Sequence, residues 1–155
     1  MKKRILITGG TGRFGSIFKR LNTNYEMFFP NKTILDITKF KKNCELSKKK
    51  IINLLNKYKN QNKKICGYAA TSKSTTVLNY CQIGSNFINC IYDTTKEKIG
   101  KFSPGMHIPI ISAENFTIDK PDVSYLFAWN HKKEIFKKEK NFLSQGGIWI
   151  SHVNI

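Results

Sequence analysis

Acidic residues are scarce in this chain: 10 Asp and Glu stand against 27 Lys and Arg, a formal charge of +17 over 155 residues. Such a surplus invites a polyanionic partner, nucleic acid or an anionic membrane surface, because basic surfaces concentrate phosphate. The distribution argues otherwise, since the lysines run along the whole chain with few arginines and no nucleic-acid-reading motif behind them. Also missing is any apolar run near the roughly 20 residues of a membrane span. Met1-Lys2-Lys3-Arg4 leads straight into a short strand pattern rather than into a signal-peptide core. The expectation is a soluble, cytoplasmic protein with no membrane partner, a nucleic-acid-binding module being kept only as an alternative.

Other absences narrow the chemistry. Cys44, Cys66, Cys81 and Cys90 lie far apart with no C-x-x-C pair, which excludes a written zinc ribbon or redox motif and leaves reduced, mostly buried thiols. No carboxylate pair or His/Asp/Glu cluster has metal-ligand spacing, so no metal is expected. Gly-Lys-Ser/Thr is absent, so there is no Walker loop. The length suits one full core, or one domain with a short appended unit, but not two complete Rossmann domains.

The stretch that is most informative runs from Ile65 to Gly84, where an apolar strand meets a polar turn that opens into a helix. A strand ending at Gly67, then small and hydroxylated residues, then a periodic apolar segment is the unit that presents backbone N–H groups to an anion. Lys73 adds a positive charge there, and Ser72, Ser74, Thr75 and Thr76 offer hydroxyls either to a ligand or to a well-capped helix start. A second such unit opens the chain. Arg4 to Thr8 reads as a buried parallel strand, followed by glycines 9, 12 and 15 and an apolar helix pattern through Ile17, Phe18 and Leu21, the spacing of a dinucleotide fingerprint.

Further strands are expected at Tyr25–Pro30, Lys64–Tyr68, Phe87–Tyr92, His107–Ile111, Val123–Ala128 and Ile148–Ile150. Helices are expected at Glu45–Asn62, Thr75–Cys81, briefly near Ala113–Phe116, and at Lys132–Leu143 before Gly146-Gly147. The alternation predicts an α/β fold, a Rossmann-like parallel sheet with helices on both faces and ligands at the strand ends. Asp93, closing its strand, sits where such a unit hydrogen-bonds a ribose diol, or it forms a turn with Thr94 and Thr95.

The first forty residues resemble the extended short-chain dehydrogenase/reductases of the dTDP-4-dehydrorhamnose reductase type, through the glycine turn and Ile34-Leu35-Asp36-Ile37-Thr38. That resemblance implies NAD(P): Gly9, Gly12 and Gly15 at the pyrophosphate with Arg13 and Phe14 flanking it, Lys32 reading a 2′-phosphate, and Asp36 near the adenine. Beyond them the pattern stops. The one Tyr-x-x-x-Lys match, Tyr92 to Lys96, falls at a strand end and a turn, whereas the chemistry needs both groups on one helix face.

Residues 45–155 resemble the C-terminal domain of sugar-nucleotide C-methyltransferases. The matching text is Gly67-Tyr68-Ala69-Ala70 with Lys73 and Asn79, then Asp93, Lys98, Gly100, Pro104-Gly105-Met106-His107-Ile108-Pro109, Trp129-Asn130 and Gly146-Gly147; Ala69 stands where the family usually has glycine. The family implies three modules: a zinc-binding piece, a central S-adenosylmethionine domain with the catalytic base, and this closing domain. Only the third is expected here, so S-adenosylmethionine would come from a partner chain. The resemblance implies a nucleotide-sugar ligand, with Tyr68, Ser72, Lys73, Thr75, Asn79, Asp93, His107, Trp129 and Asn130 as candidate contacts. His107 either acts as acid/base near a sugar hydroxyl or fixes its loop, and Trp129 either stacks on the ligand or packs at the rim. His131 is expected to cap a helix.

The expected organisation is a partial NAD(P)-type unit over 1–40, a connecting helix and loop over 41–63, and the methyltransferase-type domain over 64–155. The expected function is a nucleotide-sugar-binding or accessory module of deoxysugar or surface-polysaccharide metabolism, with a methyltransferase or a second copy as possible partner. An NAD(P)-dependent nucleotide-sugar reductase or epimerase-like protein is the enzymatic alternative.

Overall fold

The computed structural model describes residues 3–8, 12–21, 23–31 and 36–153 of the chain. It divides into two compact units, 1–46 and 47–155. In the first, β1 (Arg4–Leu6) and β2 (Glu26–Phe28) pair in parallel around α1 (Arg13–Arg20), with Arg4 Nε donating to Glu26 Oε2 at 2.8 Å across the pair. The strands are parallel as expected, yet β1 is not buried: Ile5 and Leu6 are 38% and 57% exposed. Two three-residue strands and one eight-residue helix carry too little apolar surface to enclose a strand.

The long helix α2 (Ile37–Asn60) starts well before Glu45, and the boundary between the units falls inside it, between Leu46 and Ser47. Its start is set by Asp36, whose Oδ1 accepts from Lys39 N at 3.2 Å while its carbonyl accepts from Phe40 N at 2.8 Å. A side-chain oxygen on an orphan amide is the usual way a helix begins.

The second unit is built on five parallel strands: β3 (Ile65–Tyr68), β4 (Ile91–Asp93), β5 (Ile110–Ser112), β6 (Val123–Leu126) and β7 (Ile148–Ile150), in the order β5-β4-β3-β6-β7. Successive strand residues face opposite sides, which divides the core in two. Ile65, Ile91, Val123, Tyr125 and Phe127 pack with Ile51 and Leu55 of α2 and Leu78 of α3 (Ser72–Cys81). Cys66, Tyr68, Cys90, Tyr92 and Leu126 pack on the other side with Phe116 and Phe142. Helices therefore cover both faces, as an alternating pattern requires. Gly67 is held to glycine by this packing, since a Cβ there would stand 2.7 Å from Phe127 Cε2 and 3.0 Å from Ile91 Cγ1.

Several expected elements shift. Phe87–Asn89 is irregular rather than strand, and β4 begins only at Ile91. The strand expected from His107 begins at Ile110, because His107 takes a left-handed backbone (φ 51°) that ends any extended run. Lys132–Leu143 is two helices, α5 (Lys132–Lys138) and α6 (Lys140–Ser144), broken at Glu139. Glu139 turns inward, is buried, and accepts from the Tyr68 hydroxyl at 2.6 Å. Burial first, and then the Glu139 carboxylate, push the Tyr68 phenol well above its ordinary pKa, so it stays a donor. A one-turn helix α4 (Phe116–Asp119) precedes β6.

Two tyrosines of this sheet test the accounting. Tyr68→Phe leaves a buried carboxylate without its donor and should cost about 1–3 kcal/mol. Tyr125 is fully buried with no hydrogen-bond partner for its hydroxyl, so Tyr125→Phe should be neutral or stabilising. Urea melts of both variants check this, and equal losses would contradict it.

Candidate functional site

In chain order within the sheet the strands run 3-2-1-4-5, so the winding direction reverses between β3 and β6. At such a reversal the loops leaving two neighbouring strands diverge and open a crevice at their carboxyl ends. The residues that leave β3 are Ala69, Ala70 and Thr71; those that leave β6 are Phe127, Ala128, Trp129 and Asn130.

The β3 exit is shaped by one buried carboxylate. Asp93 Oδ2 accepts from Ala70 N at 2.6 Å and Oδ1 accepts from Thr95 N at 2.7 Å, while Lys98 Nζ donates to Ala70 O at 2.7 Å and lies 3.4 Å from Asp93 Oδ2. Both peptide groups of Ala70 are thereby held from β4 and its following loop. Burial would raise the Asp93 pKa, but the Thr95 hydrogen bonds, the Lys98 charge and the Ala70 amide outweigh it and hold the group below the usual carboxylate range. Of the two roles open to Asp93, the turn-forming one is what these bonds describe. Ala69, meanwhile, sits at φ 69°, the left-handed region that favours glycine. That is the physical reason a glycine belongs at this point of the turn.

Next, α3 starts at Thr71, whose Oγ1 accepts from Ser74 N at 3.3 Å. Lys73 reaches across the crevice: its Nζ donates to Asn130 Oδ1 at 3.1 Å and stands 6.0 Å from the centre of the Trp129 ring. Lys73 thus meets the consecutive pair Trp129 and Asn130 on one rim, Asn130 lying 57 positions further along the chain. Two clefts adjoin them. The first, about 340 Å³, lies between Tyr68, Ala69, Thr71, Asp93, Thr94, Thr95 and Lys98 on one side and Ala128, His131 and Lys138 on the other. The second, about 280 Å³, is bounded by Thr71, Ser72, Thr75, Lys98, Lys101 and Ser103. Thr71 and Lys98 line both. Hydroxyls, backbone and lysines line these clefts together with apolar surface, and the Glu134 carboxylate stands in the first.

The remaining expected site residues separate from these clefts. Asn79 Nδ2 donates to Thr75 O at 2.8 Å and to Pro104 O at 3.0 Å, pinning the loop at Gly105, whose φ of 81° and contact with Asn79 leave no room for a Cβ. His107 is exposed and borders neither cleft. Tyr92 is fully buried and donates to Asp119 Oδ2 at 2.9 Å, while Lys96 is exposed, so the Tyr92–Lys96 pair is not assembled. His131 stands at the start of α5, its Nδ1 3.5 Å from Glu134 Oε2. In the first unit Gly12 precedes α1, Gly15 is buried within it, Arg13 is its first residue and Phe14 its second. Gly9 and Lys32 lie outside the described residues, and Asp36 is committed to capping α2. No group of three or more His, Cys, Asp or Glu among the described residues is placed to hold a metal, and no described helix is long and apolar enough to cross a membrane.

Sequence reasoning missed Lys98, Thr71, Thr95, Lys101 and Glu139 as site or support residues. Glu139 had a legible signal: it follows Ile135 by four and precedes Phe142 by three, on the apolar stripe of its segment. Lys98 was part of the matching text without a role.

A five-stranded parallel sheet with helices on both faces and open clefts at its reversal point defines a Rossmann-like α/β domain. The chain belongs to the C-methyltransferase C-terminal domain family, whose model matches residues 25–154. It is 42% identical over 88 residues, 57% of its length, to the C-methyltransferase NovU of Streptomyces niveus, of which it spans 21%. The match takes in β2 and the Leu35-Asp36-Ile37-Thr38 segment, so that segment falls within the methyltransferase-type family, and nothing in these comparisons supports a reductase-type beginning.

Two variants check the turn. Asp93→Asn removes the charge and one amide acceptor at a carboxylate only 5% exposed, and should cost about 1.5–3 kcal/mol. Because the folded pKa is depressed, the wild-type contribution is present above the ordinary carboxylate pKa and lost as pH falls below it toward the folded value. The variant should lack that part of the acid limb in thermal melts between pH 7 and 2.5. Ala69→Gly relieves about 1–2 kcal/mol of left-handed strain against about 0.5–1 kcal/mol of added unfolded-state entropy. Its melting temperature should stay level or rise, and a fall would show that the strain argument fails.

Proposed function

We propose that the chain is a nucleotide-sugar-binding module of the kind that closes a sugar C-methyltransferase, and that methyl transfer needs S-adenosylmethionine bound by a part of the enzyme other than this domain. The observation that supports this most is the pair of clefts meeting at Lys98 and Thr71 where the sheet reverses. Lysines 98 and 101 would offset the charge of a diphosphate, the hydroxyls of Thr71, Ser72 and Thr75 would bond its oxygens or the sugar, and Trp129 offers a face for a base or sugar ring. Asp93 is bound on both oxygens and the Tyr68 hydroxyl is given to Glu139, so neither is a poised base, and in the first cleft His131 Nδ1 stands 3.5 Å from Glu134 Oε2. In this reading Asp93 and Tyr68 position the walls of the first cleft. The name of the Streptomyces niveus relative supports the methyltransferase context. A second reading, NAD(P) at the first unit, draws on the parallel β1-α1-β2 crossover with Gly12 at the helix start.

A thermal-shift panel of dTDP- and GDP-sugars, S-adenosylmethionine and NADPH separates these. A sugar nucleotide at about 100 times its dissociation constant adds roughly 2.7 kcal/mol, which for a domain of this size raises the melting temperature by several degrees. Lys101→Ala, at a lysine that lines the second cleft, should weaken that shift. A shift with S-adenosylmethionine alone, or none with any sugar nucleotide, would overturn the proposal, and a shift with NADPH alone would favour the second reading.

A further inference from the structure

The four cysteines show no redox spacing in sequence, yet two of them meet in the fold. Gly67 pairs with Ile91 in the β3–β4 register, so Cys66, one residue earlier, faces Cys90. Their Sγ atoms are 3.5 Å apart, within hydrogen-bond contact. Neighbouring strands run about 4.7–4.9 Å apart, inside the roughly 4.4–6.8 Å Cα separation that a disulfide spans. Side-chain rotation and a small approach of the sulfurs complete the bond. Cys81 packs in the opposite core layer, and Cys44 is half-buried in the first unit.

The two thiols are not equivalent. Cys66 is fully buried, whereas Cys90 keeps 9% of its surface. The Cys66 hydrogen bond holds Cys90 below the ordinary thiol range against the effect of burial, with Tyr92 assisting, while the same bond and burial push Cys66 up. Over them lies the segment Ala113–Asp119, which shares their core cluster through Ala113 and Phe116 and meets Tyr92 through the edge-on Phe116 ring and the Asp119 carboxylate. A 3-10 turn and a one-turn helix with Ile118 at 75% exposure open at lower cost than the sheet beneath.

We infer that Cys66 and Cys90 form an oxidisable dithiol, a modification site that closes to a disulfide with hydrogen peroxide. The Cys90 thiolate attacks the peroxide, breaking the O–O bond to give a sulfenic acid and releasing hydroxide. Cys66 then displaces the sulfenic oxygen as water, so two thiols and one peroxide yield one disulfide and two waters. A dithiol reductant reverses the bond by exchange, leaving as its own disulfide. The bond cross-links the strands whose ends carry Ala70 and Asp93.

The test treats the full chain with hydrogen peroxide, quenches it, alkylates in denaturant and maps the peptides by mass spectrometry. Alkylatable thiols should fall from four to two, with Cys66 and Cys90 peptides joined and lighter by two hydrogens, and dithiothreitol should restore all four. In Cys66→Ala, dimedone should capture a sulfenic acid at Cys90 with no intramolecular bond. Four thiols remaining after peroxide, a disulfide to Cys44 or Cys81, or an untrapped Cys90 in Cys66→Ala would each overturn the assignment. Whether a nucleotide sugar binds has no bearing on these readouts.

Discussion

One buried carboxylate governs the end of the sheet. Where β3 and β4 stop, their backbone amides lose the partners that the ladder provides, and unpaired buried amides cost too much to leave. Asp93 answers for two of them at once, one on each connection, and Lys98 closes the arrangement by donating to the carbonyl beside it. A side chain on one strand therefore determines the path of the loop that leaves its neighbour. The crevice at the reversal point has its shape because this tie fixes Ala70 and lets α3 begin at Thr71.

The opposite core layer rests on a second polar tie. Tyr68 faces away from the α2–α3 layer and gives its hydroxyl to Glu139, whose burial interrupts what would otherwise be one C-terminal helix. The ring of Tyr68 packs edge-on against Phe116 and Trp149, so the hydrogen bond fixes an aromatic cluster as well as a helix break. Each tie joins a strand to a segment distant in sequence. Together they hold both walls of the first cleft, which Tyr68 and Asp93 line from β3 and β4 and Lys138 from α5.

This layout separates positioning from contact. Asp93, Asn79 and Tyr68 use their polar atoms within the protein, whereas Ser72, Lys101 and Trp129 leave theirs to the clefts and the rim. The domain that carries this layout belongs to the C-methyltransferase C-terminal domain family.

Strand and helix alternation, the α3 segment, though it begins at Ser72 rather than Thr75, β3, β6 and β7, and the family resemblance of residues 45–155 were legible because they depend on local periodicity and on ordered text. The same text brought Lys73, Trp129 and Asn130 into view, though not their meeting. What local pattern could not carry was the choice of partner: Asp93 had equal claims as a ribose ligand and as a turn residue until Ala70, 23 positions away, was seen to occupy it. Glu139 and the Cys66–Cys90 pair belong to the same class, since a buried acid needs a donor and a thiol needs a neighbour, and strand order alone brings them. Sequence by itself determined which segments extend, which coil and which family they belong to, through residue-by-residue propensity. Only tertiary structure decided which polar atoms are consumed inside the fold and which face the clefts, because that follows from non-local hydrogen bonding among groups that burial forces to pair.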